Sequence, residues 1–139
     1  MVSNKQIRTA LYTKLNVVSV TGLLANGSAS IHHAVAPPTG TYPLIVFSKS
    51  SGTQVNAFGD EAYKTTLWLV KGIVNAKSAS TAEDIDKAVF DRLNFSTLSI
   101  TGADDLAVFR ESDVEYPETQ GDDVYHHCGG LYRIAYQDT

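Results

Sequence analysis

A chain of 139 residues, 43% of them hydrophobic and 19% charged, has the balance of a globular protein. It is long enough to bury a core and too short for two ordinary domains, so residues 1–139 are expected to form one unit. A net charge of -4 and the lack of any basic patch interleaved with aromatics argue against tight nucleic-acid binding. The opening MVSNKQIRT carries no apolar signal segment, and no stretch approaches the roughly 20 apolar residues of a membrane span. The expectation is a protein made in a cytoplasm, with no membrane partner.

Ser3 and Gln6 have capping-box spacing, and Ile7, Ala10, Leu11 and Leu15 recur at helical intervals, which predicts a first helix ending near Asn16. Residues 17–24 are β-branched and apolar but contain Gly22, and they fit a helix extension, a short strand or packed coil equally well. Residues 31–35 read as a short strand. Pro37-Pro38 and Gly40 then enforce an irregular loop, and a strand is expected from about Pro43 to Ser48. The run Leu44-Ile45-Val46-Phe47 is too continuously apolar for a one-sided strand, so something apolar should cover its other face. A polar, turn-rich connection follows, and residues 62–74 have strand propensity throughout.

Ser80 and Glu83 suggest a second capping box, leading a helix whose Ile85, Ala88, Val89 and Leu93 share one stripe. Residues 98–100, 106–110 and 114–116 are short strand candidates, broken by the 102–105 turn and by Pro117. A longer closing strand is expected over 124–136, with Gly129-Gly130 marking a bulge or a close backbone approach. These elements specify an α+β fold: a mostly antiparallel sheet with two amphipathic helices packed on one face.

Charge is unevenly placed. Residues 1–59 hold Lys5, Arg8, Lys14 and Lys49 and no acid, while all 15 acids lie from Asp60 onward. Asp104, Asp105, Glu111, Asp113, Glu115, Glu118, Asp122 and Asp123 crowd together, opposed only by Arg110. That segment is either a solvated loop, a contact for a basic face of another copy, or the lining of a channel along which DNA slides.

Little points to catalysis. His32-His33 and His126-His127 are the one constellation that tempts towards a metal, but adjacent strand residues point to opposite faces, leaving a thin ligand set. Cys128 is the only cysteine, so it forms no intrachain disulfide and reads as a small buried thiol. There is no G-x-S-x-G and no phosphate-cradling glycine loop. No cofactor, metal or catalytic residue is expected. The apolar Val55 and Phe58, stranded in a polar connection, make Gln54, Val55, Asn56, Phe58, Asp60 and Glu61 the candidate interaction segment.

Two stretches carry a family resemblance. IHHAVAPPTGTYPLIVFSKSSGT, residues 31–53, and VYHHCGGLYRIAYQD, residues 124–138, resemble the tail terminator proteins of long, non-contractile-tailed bacteriophages. This family, also called tail completion or tail-to-head joining proteins, usually has bulkier residues where Gly129, Gly130 and Ala135 stand. The resemblance implies a homo-oligomer, a ring of six copies in the virion around a channel through which DNA passes. Its implied partners are the tail tube protein below and the neck or head-completion protein above. Asp104, Asp105, Asp113, Glu115, Glu118, Asp122 and Asp123 are then candidates for the channel or for a contact between subunits. The alternatives are a head-closure or neck adaptor protein and, from another class, a small metal-dependent hydrolase built on the histidines.

Overall fold

The computed structural model describes residues 2–57 and 60–138, with side chains throughout except at 54–57, 60–62, 105 and 138. Helix α1 (Asn4–Leu15) starts where the capping box places it. Ser3 Oγ accepts from the Gln6 amide at 3.2 Å, and Gln6 Oε1 accepts from the Ser3 amide at 2.8 Å, so each residue satisfies an amide the helix leaves free. Its buried stripe is Ile7, Leu11 and Leu15, and Asn16 caps its end. The undecided 17–24 stretch contains one separate helical turn, α2 (Val18–Thr21), which buries only Val20. Helix α3 (Ser80–Leu93) buries Ala82, Ile85, Val89 and Leu93, but it has no second capping box. It begins with Ala79 as its cap, so Ser80 is already inside the helix and its hydroxyl cannot cap it. The Ser80 amide instead donates to Ser78 Oγ at 3.2 Å.

Five strands form one sheet, ordered β1 (Ile31–His33), β2 (Leu44–Ala57), β3 (Asp60–Asn75), β5 (Asp123–Asp138), β4 (Ala103–Gln120). Only β1 and β2 run parallel; the other neighbours are antiparallel. The turn-rich stretch after Ser48 is therefore strand, not loop. Propensity loses to pairing: β2 follows β3 down to Ala57 opposite Asp60, absorbing its misfits in register shifts at Lys49/Ser51 and Val55/Asn56.

The expected broken strands between 98 and 116 are corrected in the same way. Residues 98–100 are not strand, and the other two pieces belong to the single β4. Its partner β5 is a continuous template, and Pro117 lies opposite His126 on an edge strand, where one amide can be spared. Gly129 and Gly130 cause no register shift between β3 and β5, so the close approach is the correct alternative there. A Cβ on Gly129 would collide with the Val70 carbonyl oxygen and Lys71 Cα, and one on Gly130 would meet the Arg110 guanidinium.

One face of the sheet carries the helices. Phe47, Trp68, Val70, Tyr132 and Ile134 join Ile7, Leu11, Ile85 and Val89 in one buried cluster. Gly72 brings β3 close enough for its Cα to lie under the Ile85 side chain. On the other face Leu44, Val46 and Ile73 make a smaller buried cluster, covered by Ala36 and by the Tyr42 and Tyr125 rings, whose centroids lie 5.0 Å apart. The proline loop is thus the cover that the continuous apolar run at the start of β2 demands.

Candidate functional site

The histidine pairs separate as strand geometry requires. His33 lies on the helix side, its ring 5.5 Å from Phe47 and 6.3 Å from Trp68, and burial beside Arg8 lowers its pKa. His127 lies on the opposite face, stacked on Tyr116 with centroids 4.3 Å apart. Both its ring nitrogens are buried without a hydrogen-bond partner, and Glu118 Oε1 stands 3.9 Å from Nε2. Burial, then Lys71 and His126, push the His127 pKa down, with Glu118 acting against them. His126 Nε2 lies 3.2 Å from the Lys77 carbonyl oxygen. Among the described residues no three His, Cys, Asp or Glu side chains come together as a metal set. Cys128 is a buried thiol whose pKa burial and Asp86 push up to about 12, the wrong direction for a nucleophile.

Arg110 is the main polar anchor of the sheet. Its Nη1 and Nη2 donate to the two Asp86 oxygens at 2.8 and 3.1 Å, Nη2 also donates to the Gly129 carbonyl oxygen, and Nε lies 2.9 Å from Asp113 Oδ1. The bidentate pair ties α3 to edge strand β4, with Gly130 leaving the space that the guanidinium fills. On the other face Arg133 makes a second fork to Glu111 at 2.9 and 2.8 Å.

The acidic residues do not form one patch. Asp104 is exposed at the start of β4, and the side chain of Asp105 lies outside the described residues. Asp113 and Glu115 stand opposite Gly130 and Cys128, on the helix side, whereas Glu118 stands opposite Tyr125 on the other. Asp122 and Asp123 sit at the turn that closes the β4–β5 hairpin, where Gly121 has φ 62°. Among the described residues no Lys or Arg comes within ion-pair distance of Glu115, Glu118, Asp122 or Asp123.

The other candidate segment is a two-stranded arm. Beyond Lys64, paired with Tyr136, β3 has only β2 beside it, so the backbones of Val55, Asn56, Asp60 and Glu61 lie in the part of the hairpin that outruns the sheet, and Gln54, opposite Lys64, stands at its base. The side chains of these five residues, and all of Phe58, lie outside the described residues.

Sequence reasoning missed Phe95. It follows the Asn94 cap of α3 with φ 56°, the left-handed position that glycine usually fills, and the residue is 87% exposed. The turn lets residues 94–97 run along the outer edge of β4: the Phe95 amide donates to the Val108 carbonyl oxygen, the Val108 amide to Ser96, and the Arg110 amide to Asn94 Oδ1. The available signal was an aromatic directly after a helix-ending Asn with no apolar neighbour of its own. Val18 and Val35, 85% and 74% exposed, are similarly bare.

A groove of about 820 Å³ separates α1 from residues 97–101. Ala10, Leu98 and Ile100 line it, Lys5, Lys14 and Arg92 stand at its margins, and no Asp or Glu takes part. Gln6 Nε2 donates to the Thr101 carbonyl oxygen at 3.1 Å and ties the two walls of the groove together at one end, while Arg92 Nε, from α3, donates to the Lys14 carbonyl oxygen of α1 at 2.8 Å at the other.

No family model matches the chain, and no curated protein does. Several solved structures share its fold, among them two that match almost the whole chain. One is a chain from the virion of a native gene transfer agent particle, 16% identical, with a TM-score of 0.67 and 96% of each chain covered. The other, a protein without a descriptive name, is 18% identical, with a TM-score of 0.60, and covers 100% of this chain and 99% of its own. At these identities the likeness is one of fold: the α+β arrangement, from end to end, is the one found in a chain of a phage-like virion.

Proposed function

We propose that this chain is a structural protein of a phage-like virion and, within it, a tail terminator. The observation that carries the reading is the likeness to a chain of the gene transfer agent virion over 96% of both chains. The family resemblance of residues 31–53 and 124–138 points the same way. In this reading copies join head to tail through a heterologous contact that closes by rotation into a ring, of six copies as the family resemblance implies. The ring caps the head-proximal end of the tail tube, denies the last tube ring its next partner and offers a new face to the neck. DNA passes through the channel and no chemistry is performed.

The arm formed by the ends of β2 and β3 supports a role in contacting the tube, because a two-stranded projection outruns its own sheet. Phe95, held exposed at a backbone cost of about 1 kcal/mol, supports a second contact. The decisive experiment is electron microscopy of particles assembled without this protein. Tails of uncontrolled length, unjoined to heads, are expected. Tails of normal length that fail only to join heads would favour a neck adaptor, and normal, joined tails would overturn the reading.

A further inference from the structure

We propose that the groove between α1 and residues 97–101 receives the acidic end of the β4–β5 hairpin of the next copy. The inference rests on the ring-forming reading above and names the surfaces that make the ring.

Three observations carry it. The first is charge: the groove has Lys5, Lys14 and Arg92 at its margins and no acid, whereas the chain from Glu111 to Tyr132 contains no Lys or Arg. Glu115, Glu118, Asp122 and Asp123 near the hairpin end have no Lys or Arg partner among the described residues, and only the buried His127 stands near one of them, Glu118. The nearby Lys77 meets the hairpin through its backbone, at His126.

The second is distance. The groove adjoins the start of β4, since Ile100 accepts a hydrogen bond from the Ala103 amide, while the acidic turn follows Gln120 at the far end. An 18-residue strand spans roughly 55 Å. The acidic end therefore cannot fold back into the groove of its own chain, and the two complementary surfaces meet only between copies. Such a contact is heterologous, the kind that closes a ring.

The third is shape. Ala10, Leu98 and Ile100 offer an apolar floor, and the hairpin carries Tyr116, Pro117 and Val124 among its carboxylates, so apolar contact accompanies the ion pairs. Desolvated charge pairs around an apolar centre set register and discriminate against wrong partners.

The test is a charge swap. Lys5→Glu with Lys14→Glu makes an acidic groove, and Asp122→Lys with Asp123→Lys makes a basic hairpin. All four positions are on the surface, and circular dichroism melts check that each double variant folds. In light scattering and native mass measurements, each double variant alone is expected to self-associate about tenfold or more weakly than the unaltered protein. Mixing the two restores assembly as rings of alternating copies, because each acidic groove then finds a basic hairpin and each basic groove an acidic one. Both variants assembling like the unaltered protein would overturn the groove contact and leave the ring standing. Weakened variants that do not recover on mixing would likewise overturn it. An unaltered protein that stays monomeric at every concentration, with or without tail tubes, would overturn the ring and the contact together.

Discussion

At the scale of single residues, polar side chains in tight places explain most of what the fold demands. Gly129 is required by the backbone of β3 and Gly130 by the Arg110 guanidinium, so adjacent glycines answer to different neighbours. His127 is the least satisfied of the buried groups, with two unpartnered nitrogens under the Tyr116 ring. Lys71, Glu118, Tyr116 and His126 are the titratable groups around it. Its folded pKa lies below the ordinary 6.5, mainly through burial, so the unfolded chain takes up a proton that the folded chain resists. Its contribution is then fully present above about pH 6.5 and is lost as pH falls through 6.5 towards the lower folded value. Replacing His127 with Phe keeps a flat ring against Tyr116 and removes the buried nitrogens. The variant is expected to melt at least as high as the unaltered protein at pH 7.5 and to lose less on acidification to pH 5.5; equal losses would show that His127 does not set the slope. His33, lowered in the same direction, leaves a residual slope in both proteins.

At the scale of elements, the fork between Arg110 and Asp86 is the tie between α3 and the edge strand. The side chains are 10% and 18% exposed, so removing one partner strands a largely buried charge. Asp86→Ala is expected to cost about 3 kcal/mol, read from urea unfolding, whereas Lys87→Ala, which loses only an exposed pair with Asp91, should leave the urea midpoint almost unmoved. The elements whose signals are local were legible in the sequence: α1 through Ser3 and Gln6, the stripe of α3, and the apolar run from Leu44 to Phe47. What was illegible depends on neighbours. The turn formers after Ser48 and the interruptions in β4 looked like loops because propensity is read one segment at a time, while β3 and β5 impose pairing on both. The cap of α3 failed for a smaller reason, a helix that starts at the serine that was to cap it, with Ala79 one residue earlier as the cap. The two candidate segments were named from the sequence by composition alone, 54–61 as a polar loop and 104–123 as an acidic run, and neither the strand pairing of the first nor the division of the second's carboxylates between two faces was legible there. The groove could not be found there, because α1 and residues 97–101 meet only in the fold.

At the scale of the whole molecule, charge and shape both have direction. The cations near α1 and the carboxylates of the hairpin end sit at opposite ends of one long strand, and the helix-bearing face differs from the face that carries Leu67, Leu69 and Leu131 between β2 and β4. A second consequence follows from β4 alone. Residues 94–97 shield its outer edge only as far as Arg110, so from there to Gln120 the backbone is bordered by solvent. An open edge of that length invites another strand to add to it and start an aggregate. Pro117, which lacks an amide, and the flanking Glu115 and Glu118 are the residues that forbid it. Replacing Pro117 by Val and both Glu115 and Glu118 by Thr is expected to give sedimenting, thioflavin-positive material within hours at concentrations where the unaltered protein stays clear. A clear solution of that variant would mean that the edge is protected elsewhere. For a subunit proposed to end the growth of a polymer, those three side chains are what keep it from founding one of its own.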